Sequence, residues 1–275
     1  MSSTTRVIST TDPNFLNNIP DTLYKYRCWN NTYHKRMLTE TEIYFASANS
    51  FNDPYDCSLP YKWKQDELTE ENIFNKYRTS LKEMHPNWTE TQIHESCYFE
   101  QQQGLFHDET HIKSISEDWR RKEYKAFGIV SLTSQSNNFL MWSHYADSHN
   151  GFAVGFDKYI LFEVSKASLS PMIYQKEIPS YGLFEDLMEK SMKQLHTKSD
   201  VWEYEDEYRL ISMQRVNSSL KLPIESVKQI VLGLRMDFKV KAEIINLAET
   251  KYPDALVHEV HLNEDEFKLD LFQIR

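Results

Sequence analysis

The stretch WEYEDEYRLISM, residues 202–213, passes from alternating acidic and aromatic residues into an apolar run. The apolar end predicts a β-strand, and the alternation before it indicates that the strand begins near the first glutamate. Alternate side chains of a strand share a face, so Glu203, Glu205, Glu207 and Arg209 are expected to point the same way. The stretch therefore predicts three carboxylates and one guanidinium on one face of a strand.

Crowded carboxylates of this kind are chemically informative. Three of them on one face repel one another unless a positive group lies between them. The repulsion raises the pKa of at least one carboxyl group, which suits general-base catalysis or stabilisation of a cation. A solvated edge strand with Arg209 offsetting the charge is the alternative. The adjacent Trp202, Tyr204 and Tyr208 favour partial burial instead.

Further strands and helices are predicted on both sides of this stretch. Strand-like segments cover residues 22–29, 42–46, 126–132, 151–156, 172–174, 228–233, 256–262 and 267–274. Helices are predicted at 31–38, 138–146, 184–195 and 238–250, with two or three more between 65 and 126. Several strands follow one another with short connections, which favours an α+β fold over a doubly wound parallel sheet.

The domain organisation follows from this pattern. The 275 residues are enough for a substantial core. We expect a polar lead-in at residues 1–20 and a single α+β domain at residues 21–275. A helical insertion is expected at about residues 65–126, because this segment lacks a convincing strand and is rich in Glu, Lys and Gln.

The composition narrows the class of function. A formal net charge of -10 argues against a broad nucleic-acid groove, although a local basic pocket is compatible with it. Cys28, Cys57 and Cys97 fit neither a disulfide framework nor a zinc knuckle, so reduced thiols are expected. The sequence shows no signal peptide or transmembrane segment, which favours a cytoplasmic location without a membrane partner.

The loop NDPYD, residues 52–56, follows a predicted strand. Asn52 and Asp53 precede a proline and readily form Asx-turns, so one interpretation is a rigid turn. The other is a binding loop at the mouth of a cleft. Asp53 and Asp56 are oxygen ligands of the kind that hard cations prefer, but no nearby residue completes a ligand set, so no metal is predicted.

Two other segments carry candidate binding residues. Trp142, His144 and Tyr145 lie on a predicted helix and are suited to line a nucleotide pocket; packing of this helix in the core is the alternative. Lys25 and Arg27 alternate on one face of a predicted strand and are suited to bind a pyrophosphate. An exposed basic face of an edge strand is the alternative there.

The order of these segments is more specific than any one of them. LYKYR at 23–27, FNDPYD at 51–56, MWSHYA at 141–146 and WEYEDEYR at 202–209 occur in that order along the chain. Together they resemble a widespread bacterial family, the domain-of-unknown-function family 2971. The resemblance covers roughly residues 22–235.

That family in turn resembles the ADP-ribosyltransferase superfamily. The resemblance implies a split pair of antiparallel β-sheets that hold NAD, the substrate, between them. Three strand positions carry the site in that superfamily. The first falls on Lys25, Tyr26 and Arg27, without a choice between the two cations, and the second falls nearest to Ser47. The third is the E-x-E pattern that ends at Glu207, the residue in the catalytic place.

The resemblance also implies roles for these residues. Cleavage of the bond between nicotinamide and ribose develops an oxocarbenium-like cation, which Glu207 would stabilise while Glu205 orients or deprotonates the acceptor. The basic residue of the first position would hold the pyrophosphate, and Tyr145 or Trp142 would stack on a ring. The chain departs from better-known branches in lacking a plain His at the first position and in the turn that begins at Asn52.

The acceptor implied by the resemblance is a protein, a nucleic acid or water, and the biological role is that of a toxin or a phage-defence effector. Two other functions remain open. A metal-dependent nuclease or hydrolase would use Asp53, Asp56, Glu205 and Glu207 with Mg²⁺ or Mn²⁺. A non-catalytic binding or regulatory module would keep the fold, and replacing Glu207 by Gln would then change nothing measurable.

Overall fold

The computed structural model of the protein describes residues 15–275, which divide into two compact units. The first unit contains residues 15–50, 126–174 and 200–275, and the second contains residues 51–125 and 175–199. Residues 1–14 of the expected lead-in lie outside the described residues. Phe15 and Ile19, which follow, are buried in the core of the first unit.

The strands and helices are as follows. The strands are β1 (Thr22–Arg27), β2 (Glu42–Ser47), β3 (Gly128–Thr133), β4 (Phe152–Asp157), β5 (Ser168–Pro171), β6 (Ile173–Gln175), β7 (Thr197–Ser199), β8 (Glu207–Ser212), β9 (Ser218–Lys221), β10 (Val227–Leu232), β11 (Leu256–Leu262) and β12 (Leu269–Gln273). The α-helices are α1 (Thr32–Thr39), α2 (Glu70–Met84), α3 (Glu90–Gln102), α4 (Glu109–Ala126), α5 (Phe139–Tyr145), α6 (Lys158–Ser165), α7 (Leu187–His196) and α8 (Phe238–Lys251). Over residues 15–275, none of the helices is long and apolar enough to cross a membrane.

The first unit is built on a large sheet. Its strand order is β12-β11-β10-β4-β1-β3-β2-β9, with β8 paired to β3 and β5 paired to β8. Neighbouring strands run antiparallel, except that β10 and β11 are parallel. A mixed α/β chain with a mostly antiparallel sheet confirms the predicted fold class at this level.

β1 is the strand at which two halves of this sheet meet. It pairs with β4 along its whole length, but it pairs with β3 only through Tyr24 and Thr133. Glu207 pairs with the same Thr133 from the other side of β3. We call Tyr24, Thr133 and Glu207 the junction row. With strands about 4.8 Å apart, the backbone of Glu207 lies about 10 Å from that of Tyr24.

The sheet is buried on both of its faces. One face carries a cluster that includes Leu23 and Val154, and the other carries a cluster that includes Tyr24, Tyr26 and Trp142. Because side chains alternate along a strand, Lys25 lies on the face opposite to that of the two tyrosines. The alternation of β1 thus separates the basic residues of this strand from its aromatic residues.

The segment before β8 differs from the prediction. Residues Asp200–Glu205 form a 3-10 helix, Asp206 has a φ of 42°, and the strand begins only at Glu207. An extended strand cannot continue through a left-handed residue. The predicted strand start at Glu203 is therefore wrong, and Glu203 is exposed whereas Glu205 and Glu207 are buried.

The second unit contains α2, α3, α7 and nearly all of α4, so the helices expected between residues 65 and 126 are present. It also includes residues 175–199, which the sequence did not assign to the insertion. Its core contains four aromatic residues that are connected by ring contacts through Tyr61, which we call the aromatic cluster: Tyr61, Trp63, Trp119 and Tyr181.

Candidate functional site

Glu207 and Arg209 form a buried ion pair at the start of β8. Arg209 donates from Nε to Glu207 Oε1 at 2.7 Å and from its second terminal nitrogen to Oε2 at 3.3 Å. The Arg209 side chain is 0% exposed and that of Glu207 is 4% exposed. A bidentate pair of this type fixes the plane of the carboxylate as well as its charge.

Glu205 lies two residues earlier, at the end of the 3-10 helix. Its Oε1 accepts a hydrogen bond of 2.5 Å from the hydroxyl of Tyr145, the last residue of α5. The backbone N–H of Glu207 donates to the hydroxyl of Tyr174 at 2.8 Å. Two tyrosine hydroxyls therefore hold the E-x-E segment from different elements of the first unit.

Lys25 supplies a cation within electrostatic range of these carboxylates. Its Nζ donates to the carbonyl oxygen of Ser131 on β3 at 2.5 Å. Burial, and then the neighbouring Arg27, lower the pKa of Lys25 well below its ordinary value, while Glu207 and Glu205 favour the charged form. A lysine under these opposing influences responds strongly to any added charge.

Positive charge is also concentrated at the end of β1. Burial lowers the pKa of Arg27 to about 10. Burial, followed by Arg27 and Lys25, lowers the pKa of His34 on α1 to about 4. The Nδ1 atom of His34 lies 3.1 Å from the Sγ atom of Cys28. An anion bound here would relieve the repulsion between Lys25 and Arg27.

The predicted ring-binding residues are divided between core and surface. Trp142 is 0% exposed, contacts Tyr26 edge to face at 4.9 Å between ring centroids, and donates from Nε1 to the carbonyl oxygen of Ser136. Trp142 and Tyr26 therefore pack in the core, the alternative that the sequence left open for this helix. His144 is exposed and its ring lies 6.4 Å from that of Tyr204. Of the predicted ring-binding residues on α5, His144 and Tyr145 are thus the accessible ones.

Ser47 does not join the other predicted site residues. It is the last residue of β2 and pairs with Gly128, the first residue of β3, whereas Glu207 pairs with Thr133 at the other end of that strand. At about 3.3 Å per residue, the two ends of β3 are about 16 Å apart. The antiparallel register thus keeps Ser47 away from the junction row.

Asn52 and Asp53 belong to the second unit. Asn52 is exposed, and Asp53 Oδ1 accepts from the N–H of Tyr55 at 2.9 Å, which is the expected Asx-turn. Asp53 Oδ2 is buried and has no hydrogen-bond partner among residues 15–275. Asp56 lies 3.7 Å from Lys198 in a buried ion pair. The hydrogen bond from Tyr55 agrees with the rigid-turn interpretation of this loop.

The sequence missed two residues of this arrangement. Arg209 is predicted on the same face as the carboxylates, with a solvated edge strand as the alternative, but its two hydrogen bonds to Glu207 are not predicted. Tyr174 is predicted in a strand, but nothing in its local sequence connects it to Glu207. In the part of the chain that the structure describes, no three His, Cys, Asp or Glu side chains are grouped so that they could hold a metal ion.

The first unit is thus a mixed α/β unit in which Lys25, beside the sheet junction, lies within electrostatic range of Glu205 and Glu207. A family model described as "Protein of unknown function (DUF2971)" matches residues 141–210, from α5 to Leu210 of β8. The match confirms the predicted family and supports the membership of this chain in it. No curated protein and no solved structure matches the chain.

Proposed function

We propose that the first unit cleaves NAD between nicotinamide and ribose and transfers the ADP-ribose to an acceptor. The observation that carries the proposal is the junction row. It brings the backbone of Glu207 within about 10 Å of that of Tyr24 on β1, and the next residue, Lys25, is within electrostatic range of Glu207 and Glu205. The reaction needs a carboxylate for a developing ribose cation and cations for a pyrophosphate, and both types of group are present here.

The contacts of the two glutamates support separate roles for them. Arg209 holds both oxygens of Glu207, so the carboxylate is oriented before substrate arrives and needs no reorganisation when the cation develops. The Oε1 atom of Glu205 accepts a hydrogen bond from the hydroxyl of Tyr145. Glu205 is the group that would receive the proton of an acceptor.

The sheet supports the proposal in a second way. The resemblance to ADP-ribosyltransferases implies two antiparallel sheets that hold NAD between them. Here β1 and β3 are paired only through Tyr24 and Thr133. Close to that pair, Lys25 Nζ donates a hydrogen bond to a backbone carbonyl oxygen of β3. The two halves of the sheet are therefore weakly joined next to the candidate site.

A binding module without catalysis is the second candidate function. It is favoured by the burial of the pair formed by Glu207 and Arg209, because a structural ion pair gives the same geometry. In that case Lys25 and Arg27 bind an anionic ligand that is not cleaved.

The experiment measures release of nicotinamide from NAD by the purified protein without added metal. The Glu207→Gln variant is expected to reduce release by about 100-fold or more, the loss typical of removing one charge-stabilising group. Glu203→Gln is the matched control, because Glu203 is exposed on the same segment and should leave release unchanged.

Three results would count against the proposal. Equal nicotinamide release by the wild type and Glu207→Gln would show that the Glu207 carboxylate takes no part in the cleavage. Absence of both release and NAD binding by calorimetry would favour the binding module. Release that requires Mg²⁺ or Mn²⁺ would favour the metal-dependent hydrolase. Mass spectrometry of products then distinguishes a protein acceptor, a nucleic acid and water, and tests the role as a toxin or phage-defence effector.

A further inference from the structure

A cavity of about 180 Å³ lies in the second unit, between α2 and the turn that joins α3 to α4. Glu70, Ile73 and Tyr77 line it from α2, and their spacing of three and four residues places them on one face of that helix. Gln101 of α3 and residues 104–107 of the turn complete the wall. Every one of these residues belongs to the second unit, so the cavity lies within one compact unit.

Two aromatic rings form part of the wall. The rings of Tyr77 and Phe106 meet edge to face, with their centroids 5.3 Å apart and their planes at 71°, and we call this pair the aromatic corner. Phe106 also contacts Trp63 of the aromatic cluster, with 5.3 Å between ring centroids. The aromatic corner is therefore fixed to the core of the second unit. The wall is more open at Gly104, where an added Cβ would meet no atom within 4 Å.

The polar part of the wall offers hydrogen-bond acceptors and negative charge. The lining, as residues 15–275 form it, includes the carboxylate of Glu70 and no lysine or arginine. Within the same residues, Glu70 makes no ion pair. Gln101 Nε2 donates to the backbone oxygen of Glu70 at 3.1 Å, which leaves Gln101 Oε1 to accept a further hydrogen bond. The wall is thus complementary to a cation that donates hydrogen bonds.

The size of the cavity limits the apolar part of a ligand. An apolar cavity of about 150 Å³ is large enough to bind benzene, so the cavity beside the aromatic corner has room for one six-membered ring. Aromatic rings pack favourably on other rings at an angle, and they also attract an ammonium group close to their faces. A single ring joined to an ammonium group by a short chain therefore matches both parts of the wall.

We propose that this cavity is a binding site for small arylalkyl ammonium compounds. The ring of the ligand packs against the aromatic corner, and its ammonium group donates to the Glu70 carboxylate and to Gln101 Oε1. Neutral compounds of the same shape lack the ion pair, and anionic ones are repelled by Glu70. The site shares no residue with the candidate site of the first unit, so its occupancy does not depend on NAD cleavage.

The test is a ligand-observed NMR titration of the full-length protein with three probes that share a ring and differ in charge. They are phenethylamine, 2-phenylethanol and 3-phenylpropionate. Phenethylamine should bind about threefold to tenfold more tightly than 2-phenylethanol, the factor expected of a partly exposed charged hydrogen bond, and 3-phenylpropionate should bind most weakly. Equal dissociation constants for the three probes, or no saturable binding of phenethylamine, would overturn the proposal.

The variants locate the binding. Glu70→Gln should weaken phenethylamine by the same factor and leave 2-phenylethanol unchanged. Glu71→Gln is the matched control, because Glu71 is exposed in the same first turn of α2 but lies outside the lining, and it should leave both unchanged.

Leu105→Trp should fill the cavity and weaken both probes, with circular dichroism verifying the fold. Equal losses in Glu70→Gln and Glu71→Gln would show a general attraction to the acidic start of α2 and overturn the proposal. Wild-type affinity for phenethylamine in a folded Leu105→Trp variant would place the amine outside the cavity, with the same consequence.

Discussion

Replacing Glu123 by Gln should stabilise the protein at alkaline pH and have little effect at acid pH. Glu123 is a buried residue of α4 in the second unit, and its burial raises its carboxyl pKa from 4.5 to about 7. The unfolded chain releases this proton near the ordinary value, whereas the folded protein keeps it to about pH 7. Because the folded state binds more protons between these values, stability falls as the pH rises through this window.

The magnitude follows from the two pKa values. A rise from 4.5 to about 7 corresponds to about 3 kcal/mol of lost stability once the pH exceeds both values. Glutamine keeps the neutral shape, so its variant should be about 3 kcal/mol more stable than wild type at pH 8 and within about 1 kcal/mol at pH 5.

Urea denaturation of both proteins at pH 5 and pH 8 measures this difference. Glu117→Gln is the control, because Glu117 lies on the same helix but is exposed, and it should give no pH-dependent difference. A gap between Glu123→Gln and wild type that is the same at both pH values would refute the reasoning, since it would show that Glu123 titrates alike in the folded and unfolded chains.

Three substitutions in the first unit test its packing. Arg209→Met should lower the free energy of unfolding, measured by urea denaturation, by about 3–5 kcal/mol, because it leaves the Glu207 carboxylate buried without its cation. A loss below about 1 kcal/mol would show that the pair is not buried. Trp142→Ala should lower the free energy of unfolding by about 3–5 kcal/mol and lower the Tm accordingly. An unchanged Tm would show that the Trp142 side chain is not buried in the core. Gly151→Ala should cost about 1–3 kcal/mol, since a Cβ there would lie 2.3 Å from the backbone oxygen of Arg27; calorimetry showing wild-type stability would contradict this contact.

The central strands of the sheet were predictable because their apolar pattern is local. β3 at Gly128–Thr133, β4 at Phe152–Asp157 and β10 at Val227–Leu232 agree with the predicted segments within a few residues. α6 at Lys158–Ser165 was not predicted, because an apolar run directly after a strand looks like its continuation. Its start is set by Asp157, whose side chain caps the helix.

The candidate site was predictable only where it depends on neighbouring residues. The E-x-E pattern and the basic residues of β1 can be identified from the sequence, but their proximity depends on which strands pair. The start of β8 could not be predicted, because the positive φ of Asp206 shortens the strand although the alternation of residues continues through it. The position of Ser47 could not be predicted either, because it depends on the register of β2 on β3, which places Ser47 at the far end of β3.

The junction row also has a mechanical consequence. In most neighbouring strands of a sheet, a change of twist must break a ladder of several residue pairs at once. Between β1 and β3, a change of twist strains only one residue pair, Tyr24 with Thr133, and the hydrogen bond from Lys25 to Ser131. Thr133 is also the partner of Glu207. A change of angle between the two halves of the sheet would therefore be concentrated at Thr133, the residue to which Glu207 is paired.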